Sequence, residues 1–297
     1  MKTSARLTVI LLTMFVMMLA ASQLFAGLNL RMLSTLSTQT GINYDIASPF
    51  YYLMYIIIAG LLLPTAAILL LIKYRKLKVI NIAMMVLFVL VMYSFSSTVL
   101  LDAYIFALHG NMNAGSATLA ILSLLVYTLP FLLAVYYFRY AGKNGKNLMN
   151  LIVFISISAI ISLYLNVLTA MILIAVISIY DYIAVFVTKH MITLADAFSG
   201  NSFGGISLMA KKTRKKGIFL GGGDMVFPAI LANEFFLHYS ALSGIFVAVG
   251  AVVGLSMILF FGRKDRVYPA MAVIGPMQFI FIGLYFLPGL LLGITAL

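Results

Sequence analysis

Asp181 and Asp224 are the two carboxylates, of seven in the chain, that the sequence places well inside hydrophobic stretches long enough to cross a bilayer. A charge in hydrocarbon is costly, so such residues are candidate functional groups by default. Each lies eight residues from a lysine just outside its stretch, Lys189 and Lys216. At 1.5 Å per helical residue both sit about 12 Å in from the same kind of charged boundary, so two helices can present them to each other. Two carboxylates facing each other in low dielectric do not both ionise readily, and one retains a proton. The pair then offers a base to activate a water and an acid to polarise a carbonyl. Peptide hydrolysis without a metal or a covalent nucleophile requires that combination.

The flanking residues read as a site. Gly221, Gly222 and Gly223 directly precede Asp224, and Pro228 follows one turn later. Three glycines weaken a helix and let another backbone approach closely. Loosened backbone at membrane depth is tolerated only where it is buried in protein or lines a water-filled cavity. Pro269, Ala270 and Met271 open a later apolar stretch just after Arg263, Lys264 and Arg266. Proline is ordinary at a helix start; the informative feature is its coincidence in depth with the two acids.

These residues must be positioned by membrane helices. The 297-residue chain is 64% hydrophobic and only 9% charged, with a mean hydropathy of +1.14, too few polar residues to cover a soluble globule. About 20 apolar residues make a span, which predicts an all-α membrane protein of nine transmembrane helices. They lie near 7–28, 49–72, 79–101, 117–138, 147–165, 167–188, 218–237, 240–261 and 269–295. With the N-terminus cytoplasmic and the C-terminus outside, 18 of the 19 basic residues fall on the cytoplasmic face and only Arg31 outside. Fusing the fifth and sixth spans through Asn166 leaves eight and carries the basic cluster before Asp224 to the outer face. The first span reads as a retained helix, because its apolar run exceeds that of a typical signal peptide. The net charge of +12 is spread between apolar runs, so it reads as topology rather than as a nucleic-acid surface.

Tyr180-Asp181, Gly221-Gly222-Gly223-Asp224 and Pro269-Ala270-Met271 resemble the YD, GxGD and PAL motifs of the presenilin and signal peptide peptidase family of intramembrane aspartyl proteases. They occur in order in the sixth, seventh and ninth spans, and the resemblance covers almost the whole chain. The chain looks most like archaeal presenilin homologues, and its N-in orientation resembles presenilin and is opposite to that of signal peptide peptidases. The resemblance implies an endopeptidase that cleaves single-span substrate helices inside the membrane, with Asp181 and Asp224 catalytic. It implies that Pro269, Ala270 and Met271 help to seat the substrate, with Tyr180 and the glycines shaping the site. No metal or other cofactor is implied, nor an accessory subunit. The third motif departs from the family in carrying Met271 for leucine, a swap of similar volume.

A substrate helix hides its carbonyls in hydrogen bonds and must unwind before attack. Unpaired backbone in lipid needs partners, and the segment from Ile206 to Leu220 is expected to supply them as a strand edge. The chain reads as one domain over 1–297, with helices 1–5 to about 165 and a catalytic half over 167–297 that includes a cytoplasmic loop at about 189–216. Location in the plasma membrane is expected, with lipid as the surrounding partner.

Two other functions fit paired membrane acids. An ion- or proton-coupled transporter explains the acids but not the three motifs together, and a prepilin-type GxGD peptidase lacks this motif order. His109, His190 and His238 share no metal-ligand spacing, and the lack of cysteine excludes thiolate chemistry. Asp45, Asp102, Asp196, Glu234 and Asp265 read as solvated acids at span ends or in loops. Gly250 and Gly254 predict close helix packing within the monomer, and Gln278 an interhelical hydrogen bond.

Overall fold

The computed structural model describes residues 2–40, 77–107, 116–186, 205–209, 217–261 and 268–292. The span expected at 49–72 and most of the loop at 189–216 lie outside the described residues, as do Asp45, Asp196 and Asp265. The helices are α1 (Lys2–Thr40), α2 (Leu77–Ala107), α3 (Ser116–Val135), α4 (Lys143–Tyr164), α5 (Val167–Phe186), α6 (Gly223–His238), α7 (Ala241–Phe261) and α8 (Met271–Leu292). A π-helical turn over Tyr136–Tyr140 closes α3. Two short strands, β1 (Gly205–Met209) and β2 (Gly217–Gly221), pair antiparallel between α5 and α6. The described architecture is therefore helical with one added hairpin. The hairpin coincides with the segment expected to supply a strand edge, where β-branched and aromatic residues with glycine disfavour helix.

Among the described residues seven helices, all except α6, are long and apolar enough to cross a membrane. The 16 residues of α6 span only about 24 Å. The chain completes that path with β2, so the span expected from 218 becomes a helix only at Gly223. From Met225 to Phe235 every residue of α6 except Phe227 is buried. A helix apolar on all sides belongs in the interior, and α6 packs against α1, α4, α5, α7 and α8 at the centre of the bundle.

The fifth and sixth spans are separate, as α4 and α5. Leu165 is extended at the end of α4, and Asn166 Oδ1 accepts the Thr169 N–H at 2.8 Å and the Thr169 hydroxyl at 2.7 Å. Asn166 thus caps α5 and satisfies a donor that a fused helix would have paired internally.

Polar side chains tie the helices together where apolar contact alone gives no preference between protein and lipid. Asn233 Nδ2 of α6 donates to Ser22 Oγ of α1 at 2.8 Å, and Ser22 lies 2.7 Å from Ser158 Oγ of α4. Gln278 Nε2 of α8 donates to the Pro228 carbonyl at 2.9 Å, as its mid-span position predicts. A Cβ on Gly250 would come within 2.9 Å of Met277 O, and one on Gly254 within 2.8 Å of Ile274 Cα, so these glycines let α7 and α8 touch backbone to backbone.

Glu234 corrects the sequence reading. It lies in α6 and is fully buried, with neither carboxylate oxygen hydrogen-bonded and the half-exposed His238 Nδ1 at 3.3 Å from Oε2. The reading failed because proximity to a span end was taken for exposure, whereas five helices surround α6. A buried carboxylate without hydrogen bonds, faced among the described residues only by a half-exposed histidine, costs several kcal/mol to ionise, so Glu234→Gln should unfold at or above the wild-type temperature in a detergent thermal-shift assay. A marked fall would show that the carboxylate itself is required.

Candidate functional site

The site lies where α5 ends and α6 and α8 begin. α5 presents Asp181 five residues before its last described residue, Phe186, and the side chain is buried, with 7% exposure. Tyr180 beside it is half-buried. Asp224 occupies the first turn of α6 and is half-buried. The two acids lie close enough to interact electrostatically.

The third motif joins them through its backbone. Pro269 and Ala270 are buried, and the Ala270 carbonyl accepts the N–H groups of Val273 and Ile274 at the start of α8. The first N–H groups of a helix have no internal partner. That of Met271 donates to Asp181 Oδ2 at 2.9 Å, and that of Ala272 also reaches this carboxylate. The Met271 side chain is 2% exposed and packs in the core. Methionine in place of leucine therefore alters a packing contact and leaves the donor unchanged.

The glycines have a spatial role. The Gly221 N–H donates to the Asp224 carboxylate, and a Cβ on Gly221 would come within 3.1 Å of Asp224 Oδ2. Gly222 forms the joint between β2 and α6, its carbonyl accepting from Met225 and Val226. Pro228 lacks an N–H, so the Asp224 carbonyl loses its usual i+4 donor.

The hairpin directs polar groups toward the site. Gly205 pairs with Gly221, yet the Gly205 carbonyl accepts Asn150 Nδ2 at 2.8 Å while the Gly221 N–H serves Asp224. Polar groups turned away from each other mark a non-hydrogen-bonded antiparallel pair. Alternation then turns the backbone groups of Gly217, Phe219 and Gly221 toward the outer edge of β2, while β1 faces α4 and α1. Among the described residues no third strand takes that edge. Asn150 was not singled out from sequence, although an asparagine inside an apolar span is a signal. Among the described residues no cluster of metal-ligating side chains occurs.

A multi-pass helical membrane protein with two acids meeting at the mouth of its central helix is the class that fold and site define. Residues 9–287 match the family described as signal-peptide peptidase, presenilin aspartyl protease. The chain belongs to that family, and is an intramembrane-cleaving aspartic peptidase. Among solved structures it is similar to a presenilin family intramembrane aspartate protease in space group C222, at 19% identity and a TM-score of 0.59, over 95% of this chain and 99% of that one. The same description in space group P2 aligns at 20% identity and a TM-score of 0.54, over 91% and 96%. No curated protein matches the chain.

Proposed function

We propose that the protein hydrolyses peptide bonds within single-span transmembrane substrates, using a water activated between Asp181 and Asp224. The observation that carries this reading is the convergence of three separated motifs: the start of α8 donates to Asp181, and the glycine turn before α6 donates to Asp224. One carboxylate takes a proton from the water as it attacks the scissile carbonyl, and the other protonates the carbonyl oxygen. The tetrahedral species collapses with C–N cleavage as a proton passes to the leaving amine. The chemistry needs no metal or cofactor.

Substrate presentation follows from the hairpin. An unwound segment pairs with the outer edge of β2, whose N–H and C=O groups stand in for those the substrate helix gives up. Pro269, Ala270 and Met271 flank it across the site, beside Tyr180. A photo-crosslinker at Phe219 is expected to capture the flank of the cleavage site, and contacts confined to other helices would remove this part of the proposal.

The full topology we infer is nine spans, with the N-terminus cytoplasmic and the C-terminus outside, forming one domain in the plasma membrane and acting without accessory subunits. The break at Asn166 supports it by keeping the basic residues on one face. The deciding experiment is incubation of purified protein with a reporter transmembrane peptide in detergent, with products identified by mass spectrometry. Ion-coupled uptake in proteoliposomes without peptide cleavage would favour a transporter instead.

A further inference from the structure

We propose that Asn150 and Tyr137 form a buried clamp that fixes the hairpin against the dyad and so determines which substrate bond is cut. The inference rests on the reading of Asp181 and Asp224 as catalytic and of β2 as the docking edge. Asn150, on α4, and Tyr137, in the π turn after α3, are each 2% exposed. The Tyr137 hydroxyl donates to Asn150 Oδ1 at 3.0 Å, and Asn150 Nδ2 donates to the Gly205 carbonyl at 2.8 Å.

The orientation of this amide is determined, because a carbonyl only accepts and must face the NH₂ group. The side chain therefore reads two elements at once. Aspartate has no donor for Gly205, and leucine leaves both Gly205 O and the tyrosine hydroxyl buried without this partner. The π turn, a distortion often found at functional sites, places Tyr137 in the interior. Its ring lies 4.7 Å from that of Phe88 on α2 and 5.8 Å from Lys146 Nζ on α4. The phenol is thus fixed by groups from two other helices.

The consequence is positional. Asn150 holds Gly205, Gly205 pairs with Gly221, and Gly221 donates to Asp224. A strand laid on β2 is read in steps of about 3.3 Å per residue, and the clamp sets the distance of that ruler from the acids. In this arrangement Tyr137 and Asn150 act on Asp224 through Gly205 and Gly221, and are positioning residues.

Product mapping by mass spectrometry of one reporter peptide tests the proposal. Asn150→Ala should lower kcat about tenfold, the equivalent of one lost buried hydrogen bond. It should also spread the cut over neighbouring bonds, and Asn150→Asp should do the same. Tyr137→Phe keeps the ring and loses only the hydroxyl, so it should fold as wild type and show a smaller fall with the same spreading. A purely structural loss would lower the amount of active enzyme and leave the cut in place. A single unchanged cleavage site in folded Asn150→Ala or Tyr137→Phe would overturn the clamp. Failure of the catalytic reading is separately visible, since Asp224→Asn would then cut as well as wild type.

Discussion

Alanine at either Asp181 or Asp224 is expected to lower cleavage of a transmembrane reporter by about a thousandfold or more, within the range that general acid and base catalysis supplies. The two acids act as one unit on one water. A carboxylate left alone lacks either the proton acceptor or the proton donor, so the double variant should be little worse than either single one. Asparagine should be as inactive as alanine, because it fills the same space and still accepts the Met271 N–H but cannot exchange a proton. The measurement is single-turnover product formation in detergent, with substrate binding followed separately by cross-linking yield. Binding should persist, since α8 and the hairpin present the substrate. Retained turnover in either variant would falsify the dyad.

Gly275→Leu should reduce kcat about a hundredfold, the size of effect that a displacement of about 1 Å at a reacting centre produces. Gly275 lies one turn into α8 from Met271, and Ser178 one turn before Asp181 on α5. A Cβ on Gly275 would fall on Ser178 Oγ and come within 3.1 Å of Ile174 Cγ2. A large side chain there therefore pushes α8 away from α5, and the donor at Met271 moves away from Asp181. Gly275→Ala should be impaired more mildly, and adding Ser178→Ala should restore much of the loss by removing the hydroxyl it meets. Such rescue is the coupling expected of residues in direct contact. Kinetics of the two single variants and the double one would measure it, and full activity in Gly275→Leu would refute this account of how the site is assembled.

Much of the site was legible because membranes make polar residues informative. Asp181 and Asp224 stood out against apolar runs, and their distances from flanking lysines gave a common depth. The separation of α4 from α5 followed from charge bias, and Asn166 supplies its local cause. Gln278, Gly250 and Gly254 were readable as contact-forming residues from type and position. Glu234 misled for the same reason, since distance along a span says nothing about which neighbours surround a helix.

What the sequence by itself determined is the class of chain, the acids and the order of the motifs. Hydropathy and residue type are local quantities, and a bilayer converts them directly into spans and depths. The tertiary structure alone decided which groups meet. The backbone of Met271, rather than its side chain, faces Asp181, and Asn150 on a distant helix grips the strand that leads to Asp224. Backbone donors are common to nearly every residue type, so no sequence pattern marks the ones that matter. Their selection depends on how helices cross, and at Gly275 that crossing is set by the absence of a side chain.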